Sequence, residues 1–414
     1  MKPPVVRSSR LEQFRRRARG QSPHVVAAEW ARLTSEPLPL VEPIPGNEES
    51  LRVTFVWRPR RRLTAPSLYC PVANPLAGET ELESLPGTGV WYRSLVLPRA
   101  TRAIYAFSAR PTPQADETED WVAYFRSIGA DPHNPTRLTM FKDPDDPKDV
   151  GVDVSEIALP GAPPQPWTQI REPSRWKVAS ERFASERLGG ARRVWVFTPP
   201  DFTPHSVQYN LLLGLDGLAY QSIVPTPKIV EYLRAAGRLG PSVVVLVESG
   251  AGARERDLAH NPVFTQFLAE ELIPRLQQRY HLSLRALQTV LFGSSLGGLA
   301  AAFAAYRYPE VFGNVLAQSG AFLWSTPSDR GATTLMSEFA SAARKPIKFY
   351  LDAGTFEKVV YPGMQMSLLA GVRHLRDVLV AKGYPVKYAE FEGGHDYSCW
   401  AGTLADGLLY LLGR

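Results

Sequence analysis

The pentapeptide Gly293-Ser294-Ser295-Leu296-Gly297 stands where an apolar run, QTVLFGSS, gives way to the Ala-rich SLGGLAAAFAAY. A G-x-S-x-G sequence between a strand and a helix makes a sharp turn that exposes the central serine, and its glycines let strand and helix approach closely. Ser295 is the candidate nucleophile, and Ser294, one place earlier, is read as structural. The start of the following helix points N–H groups and a positive dipole end at developing negative charge. That makes the Leu296 N–H a candidate oxyanion donor.

A serine nucleophile needs a base. Of seven histidines, only His374 and His395 follow Ser295. His374 falls inside the amphipathic pattern LLAGVRHLRDVLVAKG and reads as a surface or packing residue. His395, in GGHDYSCW, follows the last expected strand on a glycine-bearing loop and is the candidate base. Its neighbour Asp396 points elsewhere on an extended loop and suits a cap for the helix beginning near Tyr397. The orienting acid is expected after the preceding strand, PIKFYLDAG, where Asp352 and Glu357 stand. Glu357 is preferred, because Gly354 and a short loop let it swing back towards His395; Asp352 is the alternative acid. The second half of the oxyanion hole is expected at the end of YNLLLGLDG, from the Gly217 and Leu218 N–H groups, with Asp216 holding the turn.

Groups so far apart in sequence must be brought together by a scaffold. From about residue 176 onward, short Val/Leu-rich runs such as PSVVVLVESG alternate with helical patterns such as PVFTQFLAEELIPRLQQRYHL. Continuous apolar strands between helices imply a mostly parallel sheet covered on both faces. The order Ser, acid, His along the chain is that of the α/β-hydrolases. The expected fold class is therefore α/β, with an α/β-hydrolase catalytic domain over residues 176–414. Before it, LRVTFVWRP, GVWYRSLVLP and TRAIYAFSAR alternate apolar and polar residues between Pro and Gly punctuation. These predict a small β-sandwich-like N-terminal domain within residues 1–175. Residues 111–175, rich in Pro and Asp, read as loop and linker.

Composition narrows the class further. A chain of 414 residues at 44% apolar content can bury the cores of two domains. No run of eighteen apolar residues occurs, so no membrane span is expected. The basic N-terminus lacks the apolar stretch of a secretory signal, and the expected location is cytoplasmic. Cys70 and Cys399 are too few for a disulfide framework or a cysteine-rich metal site and read as free thiols. Neither metal nor cofactor is expected. The net charge of +6 and the cluster Arg58, Arg60, Arg61, Arg62 suit an anionic small molecule or a solvated surface. No nucleic-acid-binding signature accompanies them, so nucleic acid is not an expected partner.

Together, LLLGLDG, RERDL, GSSLGGL, QSGAFLW, DAGTFE and GGHDYSCW resemble the enterobactin (enterochelin) esterases in order and spacing. That family comprises esterase D-like serine hydrolases that cleave trilactone catecholate siderophores. VTFVWR, GTGVWYR and ADPHNP extend the resemblance into the N-terminal half, to the family's substrate-side domain. By position, the resemblance implies a triad of Ser295, His395 and Glu357. It also implies substrate-binding roles for Arg254 near the mouth of the site and Trp324 after QSG. One difference stands at the acid: the family often has Arg-Glu-Pro where this chain has Phe356-Glu357-Lys358. The implied activity is serine-dependent hydrolysis of the ester bonds of an enterobactin-like siderophore, taken as its ferric complex, to release iron. A competing reading keeps the fold but makes the chain a carbohydrate-linked feruloyl or acetyl esterase with an N-terminal binding module.

Overall fold

The structure is a computed structural model that describes residues 8–113, 123–170, 174–205, 208–250, 252–324, 335–360 and 366–413. The chain divides into two compact units. The first comprises residues 1–142, 146–163 and 392–396, and the second residues 143–145, 164–391 and 397–414.

The first unit is built from two antiparallel sheets. One has the order β1 (Leu40–Ile44), β2 (Asn47–Trp57), β5 (Val90–Pro98), β4 (Glu83–Leu85). The other runs β3 (Ser67–Tyr69), β6 (Arg102–Ser108), β9 (Val152–Ala158), β8 (Arg137–Met140), with β7 (Ile128–Gly129) pairing β6. Aromatic pairs join β2 to β6. Phe55 meets Tyr105 edge-on at 4.8 Å and Trp57 stacks on Phe107 at 5.3 Å, which is how two sheets share one core. Two helices, Ser9–Ala18 and Pro23–Leu33, are capped by Ser8 and Ser22 and bury Leu11, Phe14, Val26 and Leu33. Asp131 and Asn134 of the ADPHNP motif are buried: the Asp131 carboxylate accepts from the Tyr105 hydroxyl at 2.9 Å, and the Asn134 amide donates to the Tyr105 hydroxyl oxygen at 3.1 Å.

Strands β7, β8 and β9 lie within the stretch expected to be linker. Each is short, and Pro/Asp-rich segments separate them; they become strands by pairing with β6 and with one another. That long-range pairing overrides the local composition.

The second unit holds an eight-stranded sheet. Its strands are β10 (Lys177–Ser185), β11 (Gly190–Thr198), β12 (Asn210–Leu215), β13 (Ser242–Val247), β14 (Thr289–Ser294), β15 (Asn314–Gln318), β16 (Lys348–Gly354) and β17 (Val386–Phe391). Their order is β10-β11-β13-β12-β14-β15-β16-β17. The first two contacts are antiparallel and the rest parallel, the mostly parallel sheet expected. Every residue of β12, β13 and β14 is buried, as strands covered on both faces require. The helix Leu296–Arg307 buries ten residues, and its alanines and glycines let it lie close to the sheet. Gly298, for instance, packs so near Gly320 that a Cβ there would stand 3.1 Å from the Gly320 Cα.

Candidate active site

Ser295 lies at the carboxyl end of β14, between that strand and the helix Leu296–Arg307, with φ 56° and ψ −121°. A non-glycine residue in this sparsely populated region costs about 1–3 kcal/mol and persists only where the surroundings impose it. Here they do. The Ser295 N–H donates to the Gln318 carbonyl and the Ser295 carbonyl accepts from Ala321 and Leu299. A Cβ on Gly293 would stand 2.7 Å from the Gly297 carbonyl carbon, so strand and helix touch through bare backbone. The expected elbow is formed, and Leu296 opens the helix with an N–H that has no intrahelical acceptor.

Beneath the elbow lies a buried polar network. The Gln318 amide donates to the Trp400 carbonyl at 2.8 Å and to the Thr403 hydroxyl at 2.6 Å, and its oxygen accepts from the Tyr220 hydroxyl at 2.7 Å. The Trp400 indole N–H donates to the Ser319 hydroxyl at 3.0 Å. These bonds tie the last helix, Tyr397–Leu412, to β15 and its loop.

The two carboxylates considered for the acid differ in setting. Asp352 lies within β16, wholly buried, and its Oδ1 accepts the Ser319 N–H at 3.2 Å. Burial, then the nearby Glu357 charge, push its carboxyl up to about 8, against the pull of a Thr403 hydrogen bond. Glu357 follows the strand, is 6% exposed, and accepts the Gly354 N–H at 2.9 Å, which folds the loop back as the glycine permits.

His395 follows β17, while His374 is exposed on the helix Leu368–Ala381. The segment Glu392–Asp396 belongs to the first unit. The Asp396 carboxylate is fully buried and accepts the Ile104 N–H at 2.6 Å, and Arg102 N–H donates to the Glu392 carbonyl at 3.2 Å. Gly394 lies on Pro71 so tightly that a Cβ would stand 2.0 Å from the Pro71 carbonyl oxygen. Asp396 was expected only as a cap; its bond to a strand 292 residues away is a tertiary feature. Both cysteines are buried and neither forms a disulfide, and burial pushes the Cys70 thiol up to about 12.

The turn after β12 departs from expectation. Asp216 adopts φ 58°, ψ 53°, and its carboxylate is held by Arg254 through two bonds, Nε to Oδ1 at 2.7 Å and Nη2 to Oδ2 at 2.6 Å. The Leu218 N–H, expected as an oxyanion donor, instead donates to the Glu248 carboxylate at 2.6 Å. An amide already given to a carboxylate is not open to a second acceptor, so of the two amides expected from this turn Gly217 is the remaining candidate. Glu248, just past the end of β13, was missed in the sequence; the only signal was a carboxylate at the carboxyl end of a buried strand. Burial raises its carboxyl to about 7, opposed by the Leu218 bond.

Arg254 opens the short helix Arg254–Leu258, and its side chain remains 44% exposed. Asp257, three residues further on the same helix, is held by Arg192 at 2.7 and 2.9 Å, with both side chains buried. Trp324 is half-buried beside Phe322, Leu323 and Leu368 along a small apolar recess, and its indole N–H has no partner among the described residues.

A strained serine between a buried parallel strand and a helix is the turn expected of a serine hydrolase of the α/β-hydrolase fold. Residues 185–411 match the family described as putative esterase, more than half of the chain, and the chain belongs to that family. Residues 52–168 match the family described as enterochelin esterase, N-terminal. It is 29% identical to an iron(III) enterobactin esterase of Escherichia coli, over 88% of this chain and 92% of that protein. Among solved structures, it is similar to the ferric enterobactin esterase of Salmonella typhimurium, with TM-score 0.77, 26% identity, and 93% and 98% of the two chains covered. The enterobactin esterase of Shigella flexneri, solved in the presence of enterobactin, gives TM-score 0.73 at 27% identity over 92% of this chain and 97% of that one.

No helix among the described residues is long and apolar enough to cross a membrane.

Proposed function

We propose that this chain hydrolyses the ester bonds of a catecholate trilactone siderophore of the enterobactin class, taken as the ferric complex, so that iron is released. The observation that carries the reading is the likeness, through both halves of the chain, to an esterase solved with enterobactin. Ser295 Oγ attacks an ester carbonyl carbon while His395 takes its proton, and the Glu357 carboxylate orients the imidazole. The tetrahedral oxyanion is held by the N–H groups of Leu296 and Gly217. Collapse breaks the carbon–oxygen ester bond, and His395 returns the proton to the leaving alkoxide. Water, activated by the same histidine, then frees the acyl group from Ser295.

A ferric tris-catecholate is a trianion, which the net charge of +6 and the exposed face of Arg254 favour. The Trp324 ring offers a catechol a surface to stack on. Iron is cargo in this scheme, and the acyl transfer itself proceeds through protein groups.

Chromatographic product analysis with enterobactin, its ferric complex, glucosylated forms and a feruloyl ester tests the reading. Turnover of enterobactin or its ferric complex is expected, and Ser295→Ala and His395→Ala should each abolish it while leaving the fold intact. Turnover of the feruloyl ester alone would replace the siderophore assignment with the carbohydrate-linked esterase.

A further inference from the structure

The turn Asp216–Leu218 is held from two sides by groups that the triad does not use. Asp216 sits in the left-handed region, which costs a non-glycine residue about 1 kcal/mol or more. Its carboxylate is clamped by both Arg254 nitrogens, and its Oδ2 lies 3.3 Å from where a Cβ on Gly297 would stand. The turn thus abuts the helix that follows the nucleophile. On the other side, Gly217 presses onto the end of β13, where a Cβ would meet the Leu246 and Val247 carbonyl carbons at 3.0 Å. The next residue after that strand is Glu248, whose carboxylate takes the Leu218 N–H at 2.6 Å. At 2.6 Å the partly buried Glu248 carboxyl oxygen is a close acceptor for that amide.

We propose that Glu248 is a positioning residue for the oxyanion hole: by accepting the Leu218 N–H it fixes the turn so that the Gly217 N–H, together with that of Leu296, meets the reacting carbonyl oxygen. Glu248 touches neither substrate nor Ser295 in this scheme and acts through the backbone. The acceptor matters more than the charge, because what holds the turn is one oxygen at one amide. An oxyanion donor misplaced by a fraction of an ångström loses its value in the transition state while leaving ground-state binding largely intact.

The inference rests on the serine-esterase reading above, and the test separates the two. Steady-state hydrolysis of p-nitrophenyl acetate and of enterobactin is compared for the full-length wild type, Glu248→Ala and Glu248→Gln, with Ser295→Ala as the blank. Labelling by a fluorophosphonate reports an active serine independently. The alanine variant is expected to lose roughly 10- to 100-fold in kcat with KM changed by less than about threefold. The glutamine variant, whose amide oxygen can still accept the Leu218 N–H, is expected to keep kcat within about threefold. Should Glu248→Ala fail to fold, Glu248→Met fills similar volume without an acceptor and takes its place.

Full kcat in a folded acceptor-less variant, or equal loss in Glu248→Gln and Glu248→Ala, overturns the assignment. So does unfolding of both acceptor-less variants, which would make Glu248 a residue of structure alone. A wild type that neither labels nor hydrolyses either ester overturns the esterase reading itself, and this inference with it.

Discussion

Replacing Gly293 by alanine probes the elbow without touching any reacting group. The added Cβ would stand 2.7 Å from the Gly297 carbonyl carbon and 2.9 Å from its Cα and oxygen. Ordinary contact begins at 3.4 Å, so the two backbones must part by about 0.7 Å, the difference of those values. Neither partner is a side chain that can rotate away. Overpacking of this kind costs about 1–3 kcal/mol, partly offset by up to ~1 kcal/mol from the lower unfolded-state entropy of alanine. The same displacement moves Ser295 against its oxyanion donors. Since a misplacement of about 1 Å costs on the order of 100-fold, kcat should fall roughly 10- to 100-fold.

Gly297→Ala serves as the comparison. Its Cβ would meet the Asp216 carboxylate at 3.3 Å and the Leu215 Cβ at 3.6 Å, and alanine gains up to ~1 kcal/mol of helix propensity over glycine. Urea unfolding of both variants, with kcat for p-nitrophenyl acetate measured in parallel, should place Gly293→Ala at least about 1 kcal/mol below Gly297→Ala. Equal midpoints, or a Gly293→Ala enzyme with wild-type kcat, would refute the claim that backbone contact holds the elbow.

Exchanging the two candidate acids tests the triad. Glu357→Gln should lower kcat by roughly 100-fold or more, whereas Asp352→Asn should leave most of it; the reverse result in a kinetic assay would make Asp352 the acid. The same Asp352→Asn variant carries a pH signature. Folding raises this carboxyl from an ordinary value near 4 to about 8. The folded chain therefore keeps a proton that the unfolded chain gives up. Stability from this group is greatest at low pH and declines between about pH 4 and 8, by at most ~1.4 kcal/mol per pH unit. Denaturation at pH 5, 6.5 and 8 should show the asparagine variant gaining on the wild type as pH rises, and a constant difference would contradict it. Finally, Asp257→Ala strands the Arg192 guanidinium, which is 3% exposed, and should destabilise by about 3–5 kcal/mol in urea unfolding.

Much of the site was legible because its signals are local. G-x-S-x-G compresses the candidate nucleophile, its turn and one candidate oxyanion donor into five neighbours, and the alternation of apolar strands with helices announces the sheet. The position of His395 after the last strand was legible, and the structure has it just past β17. What escaped were partners that sequence distance hides. Leu218 and Glu248 are thirty residues apart, and they meet because β13 lies beside β12, so the ends of both strands reach the same edge of the sheet. Arg254 bonds Asp216 rather than Asp257 because Arg192, on β11, already fills both oxygens of Asp257. Strands β8 and β9 escaped for a related reason. Their Pro- and Asp-rich flanks read as linker, and only the pairing of β9 with β6 and of β8 with β9 makes them part of a sheet.

The sequence by itself nominated candidate residues for the chemistry and announced the order of strands and helices, since side-chain type and hydrophobic period are properties of short segments. Tertiary structure alone decided which amide already has an acceptor, which carboxylate holds which arginine, and that Asp396 is bound to Ile104. A hydrogen bond is claimed by whichever partner the packed fold brings within about 3 Å, and that depends on strand order rather than on spacing along the chain.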